Sequence, residues 1–459
     1  MTGRREVRDG MKLAAFYYPT GHHVAAWRDR DVPLSAATDF ACRVRFAQTA
    51  ERGKFDLVLM ADRLAFTESR PDLLCHLDEW AVRFEPLTLV AALCGVTQRV
   101  GLVCTASTTY YEPYHVARQF ASLDHLCGGR AGWNLVTSST DAEARNFGRT
   151  RHMDHADRYD RAEEFADVVL SLWDSWDDAG LVRDKATGLY FDAERLRITD
   201  HRGRHFTVRG PLTVPRTPQG RPVVVQAGAS EAGRALAART ADVIFTAQHT
   251  LAEAQAFYAD MKRRLAAFGR TASDLRILVG VSPVIGDTEA EARAKLARLN
   301  ADIHPAIGIA VLEAFLGVDL SGARLDGPLP DLPVTNASRS RQALLIDLAR
   351  REDMTVRQLY QRVAGAIGHW QVVGTAEQIA DALAQRYVEG GADGFIVMPP
   401  VLPAGLDDFV DRVVPELQRR GLFRREYEGA TLRENLGLRW PARALDAAPA
   451  AAMMPGLVP

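Results

Sequence analysis

The sequence predicts an α/β protein: a closed (β/α)8, or TIM, barrel of eight parallel strands with long insertions after strands 4 and 7. Three observations carry that prediction. Short apolar runs alternate with stretches of helical periodicity along most of the chain, the pattern of a parallel sheet with helical crossovers. Eight such runs occur. Polar residues suited to chemistry gather just past the C-terminal ends of the runs, where a barrel builds its site. A doubly wound open sheet would instead place a glycine-rich dinucleotide turn after the first strand. That position reads YPTGHH, so the barrel is favoured.

Taken in order, strands are expected at 12–17, 56–60, 100–105, 131–136, 222–226, 242–246, 275–284 and 394–398. Helical periodicity marks 38–52, 85–97, 113–126, 157–176, 231–239, 251–268, 288–300 and 375–389, with a terminal helix at 407–420. Pro113 falls where the first helical turn needs no N–H. Gly128 and Gly129 supply the permissive backbone that ends a helix before the fourth strand. Two connections are too long for simple βα loops. The first, 139–221, carries a helix and a strand-like excursion at 189–214; the second, 286–393, contains a Pro/Gly/Ser/Asp-rich patch at 326–338. Insertions at this end of a barrel usually build the site or a lid. One domain over 1–438 is expected, with 439–459 as a flexible low-complexity tail.

Composition narrows the function. A formal net charge of -2 without a basic block argues against a general nucleic-acid binder. Five cysteines (Cys42, Cys75, Cys94, Cys104, Cys127) show neither zinc-knuckle nor redox-pair spacing, which points to reduced thiols in a cytoplasmic protein. The charged start MTGRREVRDG is not the pattern of a secretory leader, and no apolar run approaches the roughly 20 residues of a membrane span.

The strand ends offer His22 and His23, Asp62, Thr105 with Ser107, Asn134 with Thr137 and Ser138, and Gly228 to Ser230. Phe245, Thr246 and Gln248 close the sixth strand; Pro399 and Pro400 follow the eighth. With one carboxylate among them, these residues suit a phosphate better than a divalent metal. Thr137 to Thr140 set four hydroxyls beside backbone N–H groups. In QAGASEAGRALAAR, Ser230 caps a helix whose N-terminus favours an anion. HMDHADRYDRAEEF groups His152, Asp154, His155 and Asp157 like a metal cluster, yet the run also reads as a helix start, and no metal site is expected.

GGRAGWNLVTS followed by DAEARNFG resembles the signature of FMN-dependent monooxygenases that attack nitrilotriacetate, dibenzothiophene sulfone and long-chain alkanes. These form a branch of the bacterial-luciferase-like superfamily. QAGASEAGR, ADRLAF, TASTTYYEPYHVAR, ERGKFDLVLMAD and VVPELQRRGLFRREYEG extend the resemblance over nearly the whole chain. YYEPYHVAR and DAEARNFG are nearest in wording to the sulfone enzymes. After the shared HPAIG phrase at His304, however, those enzymes carry a second histidine where this chain has Phe315.

The resemblance implies FMN, delivered as FMNH2 by a separate NAD(P)H:flavin reductase, and O2 as co-substrate. It assigns Asp62, Thr105, Asn134, Thr137, Ser138, His155, Tyr159, Ala229 and Ser230 to the cofactor, with the phosphate on Ser138, Tyr159 and Ser230. His22 would face the reactive side of the flavin as the catalytic residue, where an imidazole can hydrogen-bond or move a proton. Phe245, Phe315 and His369 are substrate candidates, Trp370 a neighbour. The expected activity is oxygenation and cleavage of a small organic substrate at a C–S, C–N or comparable bond. Ile307, Ile309, Val311, Leu312 and Phe315 point to a hydrophobic guest, or equally to lid or oligomer packing. A homodimer or homotetramer is expected, with no nucleic-acid or membrane partner. A deazaflavin-dependent oxidoreductase of the same superfamily and a metal-dependent barrel hydrolase are the alternatives.

Overall fold

Eight parallel strands close on themselves in chain order: β1 Lys12–Tyr17, β2 Leu57–Met60, β3 Gly101–Ser107, β4 Ala131–Val136, β5 Val223–Gln226, β6 Val243–Thr246, β7 Arg276–Ile285 and β8 Gly394–Val397. Pairing of β8 with both β7 and β1 completes the ring. The computed structural model describes residues 10–66, 75–76, 82–228, 230–333 and 339–441. Each expected strand is present within two residues of its expected ends.

The two-residue period of each strand sorts its side chains between two apolar clusters. Ala14, Phe16, Leu57, Leu59, Val103 and Val225 fill the barrel. Leu13, Ala15, Val58, Leu102, Trp133 and Val224 face the ring of helices. Three strands follow an aspartate that satisfies the N–H of the second residue of a neighbouring strand. Asp56 accepts from Leu13 N at 2.8 Å, Asp242 from Val224 N at 2.9 Å and Asp393 from Ile277 N at 2.9 Å. Register is thereby fixed at the N-terminal rim by charge-assisted bonds as well as by packing.

That rim is plugged. The short helix Leu432–Asn435 drives Leu432 between β3 and β4, its methyl 2.5 Å from where a Cβ on Gly101 would stand. Lys12 Nζ donates to Asn435 O at 3.0 Å, Arg276 donates to Leu436 O at 2.8 Å, and buried Arg433 pairs with Asp242 at 2.9 Å. With one mouth sealed, ligand access is left to the C-terminal mouth, the end at which barrels build their sites.

The helices relevant to that mouth are α1 Asp141–Asn146, α2 His155–Trp173, α3 Glu231–Thr240, α4 Leu251–Arg264, α5 Glu289–Ala301, α6 Pro305–Leu316, α7 Arg339–Arg351, α8 Val356–Ala366 and α9 Ala376–Val388. Differences from expectation lie in the insertions. The excursion at 189–214 is only a two-rung hairpin, His201–Arg202 with Thr207–Val208. In the second insertion, α6, α7 and α8 enclose their own core of Ile307, Val311, Leu312, Phe315, Leu359 and Val363. A ninth strand, Trp370–Gly374, then pairs with β7 beyond Val281. Residues 442–459, most of the expected tail, lie outside the described residues. Among the described residues no single helix is long and apolar enough to cross a membrane.

Candidate functional site

An aromatic wall crosses the open mouth. Phe16, at the end of β1, meets His22 at 5.1 Å between ring centroids and Phe245 edge-on at 5.6 Å. Phe245 in turn lies flat on His369, 4.9 Å away with 11° between planes. Gly280 of β7 makes room, since a Cβ there would stand 2.4 Å from His369 Nδ1 and 2.8 Å from Phe245. His22, Phe245 and His369 are thus brought together. Phe315 belongs to the lid core, and its ring backs the turn at Gly368 beside His369.

His22 is fully buried, and neither ring nitrogen makes a good hydrogen bond to protein. Burial pushes its pKa down to about 3, the nearby Pro399 carbonyl offsetting only part of this. The ring is therefore neutral at pH 7, with one N–H and one lone pair unspent. Its neighbour His23 is equally buried but fully engaged: Ala25 N donates to Nδ1 at 3.1 Å, and Nε2 meets Asn300 Oδ1 at 3.1 Å. Of the two, His22 has ring nitrogens left to spend and His23 does not.

Across the barrel, Thr105 and Asn134 sit side by side in the β3–β4 register. Asn134 Nδ2 donates to Thr105 Oγ1 at 2.7 Å, and Thr105 donates to Met60 O at 3.1 Å. Asn134 Oδ1 is buried with no partner. An amide oxygen so placed has lost its water and gained nothing, which costs about 1–3 kcal/mol until a donor arrives.

One layer further out, Ser107 and Ser138 hydroxyls lie 2.9 Å apart, and Thr109 donates to Thr137 O at 2.6 Å. Ser138 holds φ +53°, a left-handed conformation that a non-glycine residue adopts at a cost. The neighbouring N–H groups are not free for a ligand. Those of Ser139 and Thr140 both bind Glu143, 3.1 Å each, in the capping box of α1. Asp62, just past β2, accepts from Arg63 N at 2.8 Å; burial raises its pKa.

Ser230 and Tyr159 come from different βα units and meet. A Cβ built on Gly233 would stand 3.1 Å from Ser230 Oγ, 3.1 Å from Tyr159 Oη and 3.2 Å from Gly228 Cα. Ser230 also caps α3, accepting from Gly233 N at 3.2 Å. Two hydroxyls thus converge beside a helix N-terminus with a missing side chain between them. His155 lies tilted against Tyr159, 4.7 Å between ring centroids. Ala229 lies outside the described residues.

His152 does not join a metal set: its Nδ1 bonds Tyr110 Oη at 2.6 Å, and among the described residues no three His, Cys, Asp or Glu side chains gather as ligands. Sequence reading missed Gly233, whose role is an absence. It also missed His249, three residues past β6, which is 8% exposed with both ring nitrogens unpartnered. Histidine at a strand exit was the available signal.

The chain as a whole is similar to known proteins. The model of the luciferase-like monooxygenase family matches residues 20–394. The N-acetyl-S-(2-succino)cysteine monooxygenase of Bacillus subtilis (strain 168) is 51% identical over 435 residues, covering 94% of this chain and 97% of its own. Component A of the nitrilotriacetate monooxygenase of Aminobacter aminovorans is 50% identical over 439 residues, again 94% and 97%. A solved riboflavin lyase carrying a modified FMN and riboflavin is 31% identical, with a TM-score of 0.84 over 94% of this chain and 96% of that one.

Proposed function

The chain belongs to the luciferase-like monooxygenases and is a flavin-dependent monooxygenase; from that premise we propose that it takes reduced FMN from a separate NAD(P)H:flavin reductase and uses O2 to oxygenate and cleave a small organic substrate at a C–S or C–N bond. Two relatives support the separate reductase, one being a single component of a nitrilotriacetate monooxygenase and the other a single subunit of a pristinamycin IIA synthase. A partner that consumes NAD(P)H argues for a cytoplasmic pair. Exposed Leu189, Tyr190, Phe191 and Ile198 on the first insertion support a homo-oligomer.

The residues fit FMN at both ends. The convergence of Tyr159 and Ser230 on the space over Gly233 carries the reading, because two hydroxyls and a helix N-terminus are what a phosphate needs. At the ring end, Asn134 Oδ1 is an acceptor waiting for an N–H, which the isoalloxazine carries and an alkyl substrate does not. Ser138 and His155 complete the phosphate end; Asp62, Thr105 and Thr137 complete the ring end.

Reduced flavin supplies the electrons that activate O2, chemistry no side chain can perform. The protein supplies placement, dryness and one proton site. Thr105 holds Asn134 so that its oxygen faces inward. His22, neutral and dry between Phe16 and Tyr18, offers one N–H at an atom on which charge develops and one lone pair for a proton. The wall of Phe16, Phe245 and His369 excludes water and gives the substrate a flat apolar surface.

The test pairs the protein with a generic NADH:FMN reductase and screens thioethers, sulfones and tertiary amines for product formed per O2 consumed. Coupled product from at least one class is expected. Oxygen uptake independent of every compound tried, with no oxygenated product, would overturn the reading.

A further inference from the structure

The ninth strand carries the barrel wall on into the lid. Val281 of β7 pairs with Val397 of β8 on one side and with Trp370 on the other. Trp370–Gly374 therefore takes the lane beside β7 that β6 leaves after its last pair, Thr246 with Val279. Faces follow from the two-residue period. Trp370 and Val372 pack with Val279 and Val281 against the helices. His369 and Gln371 share the opposite face with Gly280 and Ser282. The distances agree: a Cβ on Gly280 would stand 2.4 Å from His369 Nδ1, and His369 lies flat on Phe245. Gly280 and His369 thus form one rung, within the aromatic wall. Ser282 and Gln371, Cα partners in the ladder, form the next, about 6.6 Å further toward the lid.

That rung is polar where the one below it is aromatic. Ser282 is fully buried and Gln371 more than nine-tenths buried, yet Ser282 Oγ and Gln371 Nε2 have no hydrogen-bond partner among the described residues. The roof does not supply one. A Cβ on Gly365 of α8 would stand 3.1 Å from Gln371 Nε2, 3.5 Å from the His23 ring and 3.8 Å from Asn300 Oδ1. His23 and Asn300 are already joined to each other at 3.1 Å, and Gly365 has no side chain to offer. Buried polar groups are ordinarily paired. Two adjacent exceptions, on the face that carries the wall, mark a place that a ligand completes.

We propose that Ser282 and Gln371 determine specificity by binding an uncharged carbonyl oxygen of the substrate, whose apolar body lies on Phe245 and His369. The hydroxyl and the carboxamide each bring one donor, and a carbonyl oxygen has two lone pairs to receive them. Neither side chain carries a charge, so a carboxylate or ammonium group at this rung would be buried without a counter-charge. The inference deepens the oxygenase reading, on which the word substrate rests, but its test reads binding rather than turnover.

Equilibrium dialysis of the protein against (phenylthio)acetone and against methallyl phenyl sulfide, which has =CH2 where the ketone has =O, isolates the carbonyl. The quantity read is the ratio of the two affinities, in which the shared phenyl and thioether parts cancel. From wild type to the double variant Ser282→Ala, Gln371→Met that ratio is expected to fall about tenfold, the loss of two neutral hydrogen bonds, with the change carried by the ketone. Each single variant should lose about threefold. (Phenylthio)acetate, similar in size but charged, should bind wild type at least about tenfold more weakly than the ketone. Urea unfolding is the second measurement: the groups removed have no partner in the protein, so the variants should be as stable as wild type or more so. An unchanged ratio in the double variant, with or without a loss of stability, or an acid bound as tightly as the ketone, would overturn the pair. A ratio that falls in a protein that never couples O2 to product would leave the pair standing and overturn the oxygenase; coupled product with an unchanged ratio would do the reverse.

Discussion

Gly233→Ala is the most direct test of the phosphate cradle. The new methyl would stand 3.1 Å from Tyr159 Oη, 3.1 Å from Ser230 Oγ and 3.2 Å from Gly228 Cα. Each contact is a few tenths of an ångström too short, so the two hydroxyls must swing aside. The helix itself gains, because alanine is better than glycine in the first turns of α3 by about 0.5–1 kcal/mol. Stability should therefore change by less than about 1 kcal/mol in either direction. Phosphate binding should not survive. Two hydrogen bonds to a charged group, at about 1.5 kcal/mol each, sum to about 3 kcal/mol, or roughly 150-fold in Kd. Riboflavin lacks the phosphate and should bind wild type and variant alike. Flavin fluorescence titration with FMN and riboflavin, alongside urea unfolding, reads all three quantities. A variant that keeps the wild-type preference for FMN over riboflavin would refute the cradle.

Three further outcomes follow from the same geometry. Asn134→Ala removes a buried acceptor that has no partner together with the bond to Thr105, so the two effects offset and stability should change by less than about 1 kcal/mol while flavin affinity falls about tenfold; equal flavin affinity in the two proteins would count against the ring site. His22→Phe keeps the packing between Phe16 and Tyr18 but removes the N–H and lone pair; product formed per O2 should drop at least tenfold with FMN affinity intact, and undiminished coupling would free His22 from its role. The third concerns pH. Burial lowers His22 to about 3 and His23 and His249 to about 4, against 6.5 unfolded. Between these values only the unfolded chain takes up the protons. Their stabilisation is thus complete above pH 6.5 and is lost as pH falls toward 4. Three such groups give a slope of roughly 3–4 kcal/mol per pH unit between pH 6 and 5, measurable by denaturant unfolding, and His22→Phe should remove about a third of it.

The barrel was legible because each of its parts has a local cause. Apolar runs such as KLAAFY and LVLM are short and sharply bounded, and Gly128 and Gly129, both at positive φ, end a helix where the sequence says they must. The lid was not legible for the opposite reason. PAIGIAVLEAFL is apolar on nearly every side, so it has no periodic face to announce a helix, and only its packing against α8 makes it one. Short motifs report the family more finely than the substrate: phrases nearest the sulfone enzymes occur in a chain that is also half identical to a nitrilotriacetate component.

The site divides along the same line. Thr105, Asn134, Tyr159 and Ser230 could be named from motifs because each lies at a strand exit or in the first turns of a helix, where position follows from the chain itself. The features that decide what they do are relational. Gly233 matters through the side chain it lacks, and Asn134 through a lone pair nothing fills. None of these is a property of one residue. Each is a mismatch between a group and its surroundings, visible only once the fold has brought those surroundings together, and each marks where a ligand completes what the chain leaves unfinished.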